Sequence, residues 1–159
     1  MSVRKNLRGS AQSEALCLEE FLPYRFSVLT NRISRHLAKA YEKQFGITIP
    51  EWRVIANLAR FAPMTASDVA DKSSMDKVKV SRAISKLLNA GLIERDTDEH
   101  DKRRGQLQLS KAGEDIFEEI APLALGWEAD LLAPLSPDER RSLDVILNKI
   151  QGVLDDTGA

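Results

Sequence analysis

The chain has little that supports covalent or metal chemistry. Its 159 residues include one cysteine, Cys17, so no disulfide can close within the chain, and a lone thiol fits a reducing compartment. His36 and His100 are its only imidazoles. His100 falls in an acidic loop and His36 on a helix without Cys, Asp or Glu at ligand spacing, so no metal and no other cofactor is expected. There is no Ser/His/Asp pattern, no phosphate-cradling glycine loop and no paired-carboxylate site, and an enzyme is not expected. No apolar run approaches the roughly 20 residues that span a bilayer. The basic opening MSVRKNLRGS is not followed by an apolar stretch, which argues against secretion; the expected location is the cytoplasm, without a membrane partner. An excess of either charge is also missing: 23 Lys and Arg stand against 24 Asp and Glu, a net charge of -1. Global attraction to a polyanion is thereby excluded, and any nucleic-acid surface has to be local.

What is present is a pattern of amphipathic helices. At 43% hydrophobic and 30% charged residues the chain is a soluble globular type, long enough for one core, with long helices that leave apolar surface for a partner subunit. FLPYRFSVLTNRISRHLAKAYEKQF carries an apolar stripe and predicts one long helix ending at Gly46. Thr48 three residues before Glu51, with Pro50 in the first turn, starts the next helix. Thr65 and Asp68 repeat the device for a short helix to about Lys72, and Ser73-Ser74 make a turn. Asp76 caps a helix that stops near Asn89, before Gly91. LIER and QLQLS form a hairpin around the charged loop DTDEHDKRRG. Ser110 caps a helix with Pro122 as a kink, and Ser136, Pro137 and Glu139 open the last one. Two short helices joined by a tight turn and followed by a hairpin are a winged helix.

The helix after Asp76 is unlike the others. Between Asp76 and Ile93 there are four basic residues and one acidic one. Val80, Ala83, Ile84, Leu87 and Leu88 form its apolar side, while Lys79, Arg82 and Lys86 share a face with Lys77, Ser81 and Ser85 beside them. A solvated amphipathic helix normally mixes its charges. Here the only counter-charge in the helix is Asp76 at its start, which suits a recognition helix offering donors to phosphates and base edges. At the loop tip, Asp101 precedes Lys102, Arg103 and Arg104. An arginine there suits a minor groove, held in place by the carboxylate.

MDKVKVSRAISKLLNAGLIERDTDEHDKRRGQLQLSKAGE resembles the helix-turn-helix and wing of the MarR family of bacterial transcriptional regulators. The resemblance rests on Ser81-Arg82, on Gly91 to Arg95, on Asp101 to Arg104 and on Leu109 to Gly113, and it extends from Phe21 to Leu154 through FGITIPEWRVIANL. It implies a mainly α fold with a small β-hairpin wing. Residues 1–18 are then a mobile tail, 19–47 and 112–156 a helical dimerisation region, and 48–111 the winged helix-turn-helix DNA-binding domain. It further implies a homodimer, a repressor on a near-palindromic operator of double-stranded DNA. The DNA-facing set expected is Thr65, Ser67, Asp76, Lys77, Lys79, Val80, Ser81, Arg82, Ser85, Lys86, Arg95, Asp101, Lys102, Arg103 and Arg104.

FLPYRFSVLTNRISRHL with IPEWRV is also similar to a subgroup linked to catabolism of aromatic acids and hydroxycinnamoyl-CoA. That similarity implies release by a small anionic aromatic acid or its acyl-CoA thioester. Arg25, Arg32, His36 and Arg53 would hold the anionic group, and Trp52 would offer an apolar face to the ring. Some family members sense peroxides with a thiol, whose place here is near Tyr24. Cys17 lies too early, and no second cysteine is present to resolve a sulfenic acid. A thiol-based redox sensor and a winged-helix module that binds protein instead of DNA are the alternatives.

Overall fold

The computed structural model describes residues 16–96 and 105–156. In chain order these residues form α1 (Leu22–Ala38), α2 (Glu42–Phe45), α3 (Ile49–Phe61), α4 (Ala66–Ser73), α5 (Lys77–Asn89), β1 (Ile93–Arg95), β2 (Leu107–Leu109), α6 (Lys111–Leu132) and α7 (Pro137–Asp156). The architecture is the expected one, mainly helical with a small antiparallel hairpin. The chain divides into two compact units, Met1–Ser34 and Arg35–Ala159, and the core lies in the second. No helix among the described residues is long and apolar enough to cross a membrane.

One expectation is corrected at the outset, because the segment from Leu22 to Gly46 is not a single helix. α1 stops at Ala38. The next three amides bond only three residues back, Lys39 to His36 at 3.2 Å, Ala40 to Leu37 at 2.9 Å and Tyr41 to Ala38 at 3.1 Å. One turn, α2, then ends on Gly46 at φ 68°, the left-handed conformation expected of that glycine. The cause is tertiary: Tyr41 is buried, with its ring centroid 5.6 Å from that of Trp52, and the tightened turn serves that contact. Burial pushes the Tyr41 phenol up to about 12, with Glu42 adding to the rise and Arg53 opposing it.

The other helix starts follow their local chemistry. Glu51 accepts the Thr48 amide at 2.9 Å, completing a capping box. In the Thr65 box, the Thr65 amide and hydroxyl both donate to Asp68 Oδ2, at 2.8 and 2.7 Å, and the hydroxyl accepts the Asp68 amide at 3.1 Å. Ser136 and Glu139 repeat the pattern ahead of α7. α6 runs on through Pro122. The apolar backs of these helices meet in one cluster. It contains Val54, Ile55 and Leu58 of α3, Val69 of α4, Val80, Ile84 and Leu87 of α5, Leu107 of β2 and Ile120 of α6. Each such side chain contributes about 1.5–3 kcal/mol by leaving water.

The caps give the fold an acid limit. The Thr65 hydroxyl and then its amide hold the Asp68 carboxyl below its ordinary value of 3.8, and the Ser136 amide and then its hydroxyl hold Glu139 below 4.5. A carboxyl depressed in the folded state contributes stability that is present above its ordinary value and is lost as pH falls through the lower, folded one. Urea unfolding followed at a series of pH values is therefore expected to show stability falling below about pH 4.5. The fall should be shallower in Thr65→Ala and Ser136→Ala. Equal acid slopes in the wild type and both variants would contradict this account.

Candidate nucleic-acid interface

The interface is built on the turn between α4 and α5. Ser74 takes φ 51° and its amide reaches the carbonyls of Ala70 and Asp71, which closes α4. The Met75 amide also returns to Ala70, at 3.1 Å. Asp76 Oδ1 then accepts the amides of Val78 at 2.9 Å and Lys79 at 3.1 Å, so α5 starts where the sequence places it. Its back, Val80, Ala83, Ile84 and Leu87, is buried. Lys77, Lys79, Ser81, Arg82, Ser85 and Lys86 are all exposed on the remaining surface. Amphipathic spacing alone thus aims the basic side chains outward, and the Ser85 hydroxyl turns back to the Ser81 carbonyl at 2.9 Å.

Several expected residues have different roles from those predicted. Val80 is 1% exposed, so it packs the helix onto the core and cannot touch DNA; this corrects its inclusion. Asp76 and Thr65 use their side-chain oxygens as caps. Ser67 is exposed in the first turn of α4. The view that α5 meets no counter-charge beyond Asp76 is also corrected, since Lys86 Nζ lies 3.6 Å from Glu51 Oε1, a carboxylate of α3. Among the described residues no carboxylate pairs with Lys77, Lys79 or Arg82. Sequence inspection missed Glu51 because its capping spacing explained it fully.

The wing follows directly. Gly91 takes φ 69°, and Ile93, Glu94 and Arg95 pair with Leu109, Gln108 and Leu107. Arg95 is exposed on this hairpin. β2 has a second partner that no local pattern announces: Met64 and Leu107 exchange amide-to-carbonyl bonds at 3.1 and 2.7 Å, tying the wing to the residue before the Thr65 cap. At its other end the hairpin joins α6 through Ser110, whose hydroxyl donates to the Gly91 carbonyl at 2.6 Å and accepts the Gly113 amide at 3.1 Å. Asp101, Lys102, Arg103 and Arg104 lie outside the described residues.

Of the residues expected to bind an effector, Arg25 and Arg32 are exposed on α1 in the first unit, and His36 is exposed in the second. Arg53 is half-buried on α3. Trp52 is half-buried between aromatic neighbours, 5.6 Å from Tyr41 and stacked at 5.8 Å on Phe117 of α6. The Trp52 ring thereby joins α3 to α6. Cys17 is exposed, and its thiol donates to the Glu19 carboxylate at 3.3 Å, whereas activated thiols sit beside cations.

An exposed basic helix, an apolar back and an adjoining wing are the geometry of a DNA-reading module. A family model described as MarR family matches residues 45–104, which span α3 to the wing. The uncharacterized HTH-type transcriptional regulator YwoH of Bacillus subtilis is 30% identical over 115 residues, 70% of this chain and 83% of that one. The crystal structure of a MarR/EmrR family regulator from Acinetobacter sp. ADP1 superposes with a TM-score of 0.80 at 26% identity, covering 89% of this chain and 99% of that one. The MarR protein of Staphylococcus aureus, crystallised with salicylate and kanamycin, shares the fold at a TM-score of 0.72 and 19% identity, over 83% and 89% of the two chains. Fold, interface and relatives agree, and the chain belongs to the MarR family of winged-helix, DNA-binding transcriptional regulators, not to a family of enzymes.

Proposed function

We propose that this regulator is a cytoplasmic homodimer that represses transcription from a near-palindromic operator. The observation that carries this is the face of α5, where Lys77, Lys79 and Arg82 are exposed and unpaired among the described residues while Val80, Ala83, Ile84 and Leu87 on the opposite side are buried. α5 lies in the major groove and the wing follows the backbone, with Arg103 reaching the minor groove. Residues 48–111 act as the DNA-binding part, with 19–47 and 112–156 as the dimerisation region. In support of a dimer, α7 buries none of its side chains in the single chain, although Leu143, Val145, Ile146, Leu147, Val153 and Leu154 are all large and apolar. Leu123, Leu125 and Leu131 of α6 are likewise exposed. A second copy of the chain removes them from water.

The half-sites are then about one helical turn, roughly 34 Å, apart. Sedimentation at micromolar concentration is expected to show a dimer, and one dimer should bind each operator. A stable monomer that binds DNA one to one would sink the dimer. The operator is sought by gel shift on DNA upstream of the protein's own gene. Binding should weaken steeply with salt because phosphate contacts release counterions.

The effector belongs to the same reading: a small anionic aromatic acid or its acyl-CoA thioester, as in regulators of aromatic-acid catabolism. Arg53 is the residue assigned to its anionic group, because it is half-buried on α3 and able to grip a carboxylate or phosphate by two bonds. The salicylate found with the Staphylococcus aureus protein is an acid of this chemistry. Release requires the effector to favour a spacing of the recognition helices that misses the half-sites, and it shifts that equilibrium only by its difference in affinity for the two states. Calorimetry with benzoic and hydroxycinnamic acids and their thioesters is expected to show binding that is lost in Arg53→Ala. The same titration in Arg25→Ala, Arg32→Ala and His36→Ala shows which other cations contribute. If no acid binds, this effector class is wrong; if an acid binds unchanged in all four variants, its site lies elsewhere on the molecule.

A further inference from the structure

Lys86 differs from the other cations of α5 in having a fixed partner. Its ammonium is 3.6 Å from Glu51 Oε1, and the two side chains are 69% and 8% exposed. The carboxylate cannot swing away. It belongs to the first turn of α3, is packed beneath α5, and accepts the Thr48 amide at 2.9 Å through its other oxygen, Oε2. The lysine is therefore the mobile half of the pair, drawn over a stationary negative charge. We propose that Glu51 is a positioning residue for DNA recognition. It holds Lys86 against α3, anchors the C-terminal half of α5 to the scaffold, and leaves Lys77, Lys79 and Arg82 as the cations of α5 that meet the duplex.

This inference rests on α5 being the recognition helix. In free solution the pair is worth little, because the lysine is largely in water. Docking of DNA changes the balance, since the duplex displaces water and brings phosphates towards a buried carboxylate. Without its lysine that carboxylate would repel them in a poorly screened environment. Lys86 is then occupied in neutralising Glu51 and does not count among the phosphate contacts, although by spacing it shares a face with Lys79 and Arg82. The sequence shows one basic stripe; the structure divides it into reading cations and a structural one.

Salt dependence counts phosphate contacts and is insensitive to a purely structural role: each lost contact flattens the slope of log affinity against log salt by about 0.9. The experiment measures binding of the full chain to a short random-sequence duplex across a salt series. The proteins are wild type, Arg82→Ala, Lys86→Ala, Glu51→Gln and the double variant Glu51→Gln/Lys86→Ala. Glutamine keeps the cap, because its amide oxygen still accepts the Thr48 amide. Arg82→Ala is expected to flatten the slope by about 0.9, and Lys86→Ala flattens it as well, because it bares the Glu51 charge to the phosphates. Glu51→Gln, which frees Lys86 for the phosphates, should steepen it by about 0.9, and the double variant should return it to wild type. An unchanged slope in Glu51→Gln would overturn the proposal, as would a double variant whose slope stays as flat as that of Arg82→Ala. Failure of the wild type to bind any duplex at low salt would instead overturn the assignment of α5 as recognition helix, and this inference with it.

Discussion

Replacing Gly113 by alanine is expected to destabilise the fold by about 3 kcal/mol, a large loss for one methyl group. The expectation comes from geometry alone. A Cβ at this position would stand 1.9 Å from the Leu92 carbonyl oxygen and 3.0 Å from its carbon, and both are backbone atoms that no rotamer change can clear. The same carbonyl accepts the Ser110 amide at 3.1 Å, while Ser110 bonds Gly91 and Gly113 through its hydroxyl. Relieving the clash moves α6 away from the start of the wing and breaks this joint, so the damage extends to the hairpin that follows α5. Operator affinity should fall together with stability. Gly126 lies on the same helix, but a methyl there meets nothing within 4 Å in the chain. Gly126→Ala should therefore be neutral or raise stability by up to about 1 kcal/mol, by restricting the unfolded chain. Urea unfolding of both variants checks the pair. A Gly113→Ala protein as stable as wild type would mean that α6 does not meet Leu92 as described.

This joint also shows where the sequence was legible and where it was not. Features written into neighbouring residues could be read directly. Thr65 with Asp68, Asp76 ahead of the amides of Val78 and Lys79, and Ser136 with Glu139 all form in the structure at the expected places. The side of α5 that enters the core was equally legible, because its period fixes it and places Val80 on the apolar side, although the expected DNA-facing set also included it. What escaped depends on residues distant along the chain. The apolar stripe continues through Leu37, Ala40 and Tyr41, so nothing local betrays the break that the packing of Tyr41 imposes. Glu51 reads as a capping residue from its spacing to Thr48, and only the packing of α3 against α5 reveals its second partner, Lys86. Trp52 is a similar case: nothing in its neighbours along the chain announces Phe117 of α6, which stacks on it. Local hydrogen bonding is encoded within one turn, whereas pairing between elements is decided by the assembled core.

Arg82→Ala is expected to weaken operator binding by about 1–3 kcal/mol, roughly a fivefold to 150-fold loss, without unfolding the protein. Arg82 is exposed in the middle of α5, while its neighbours Ala83 and Ile84 hold the helix to the core. Alanine is also at least as good a helix former as arginine, so stability should stay within about 0.5 kcal/mol. An arginine projecting from the centre of a recognition helix suits a bidentate grip on the O6 and N7 acceptors of a guanine. If it reads a base, the variant loses more affinity for the operator than for random duplex, and the preference for one base pair relaxes. If it only neutralises a phosphate, both affinities fall alike. Arg103→Ala should weaken operator binding too, from the wing side, where a narrow A·T-rich minor groove attracts arginine. Anisotropy titrations of operator and random duplex at fixed salt distinguish these cases. Operator affinity unchanged in both variants would show that α5 does not present this face to DNA, and the recognition surface would have to be sought elsewhere on the molecule.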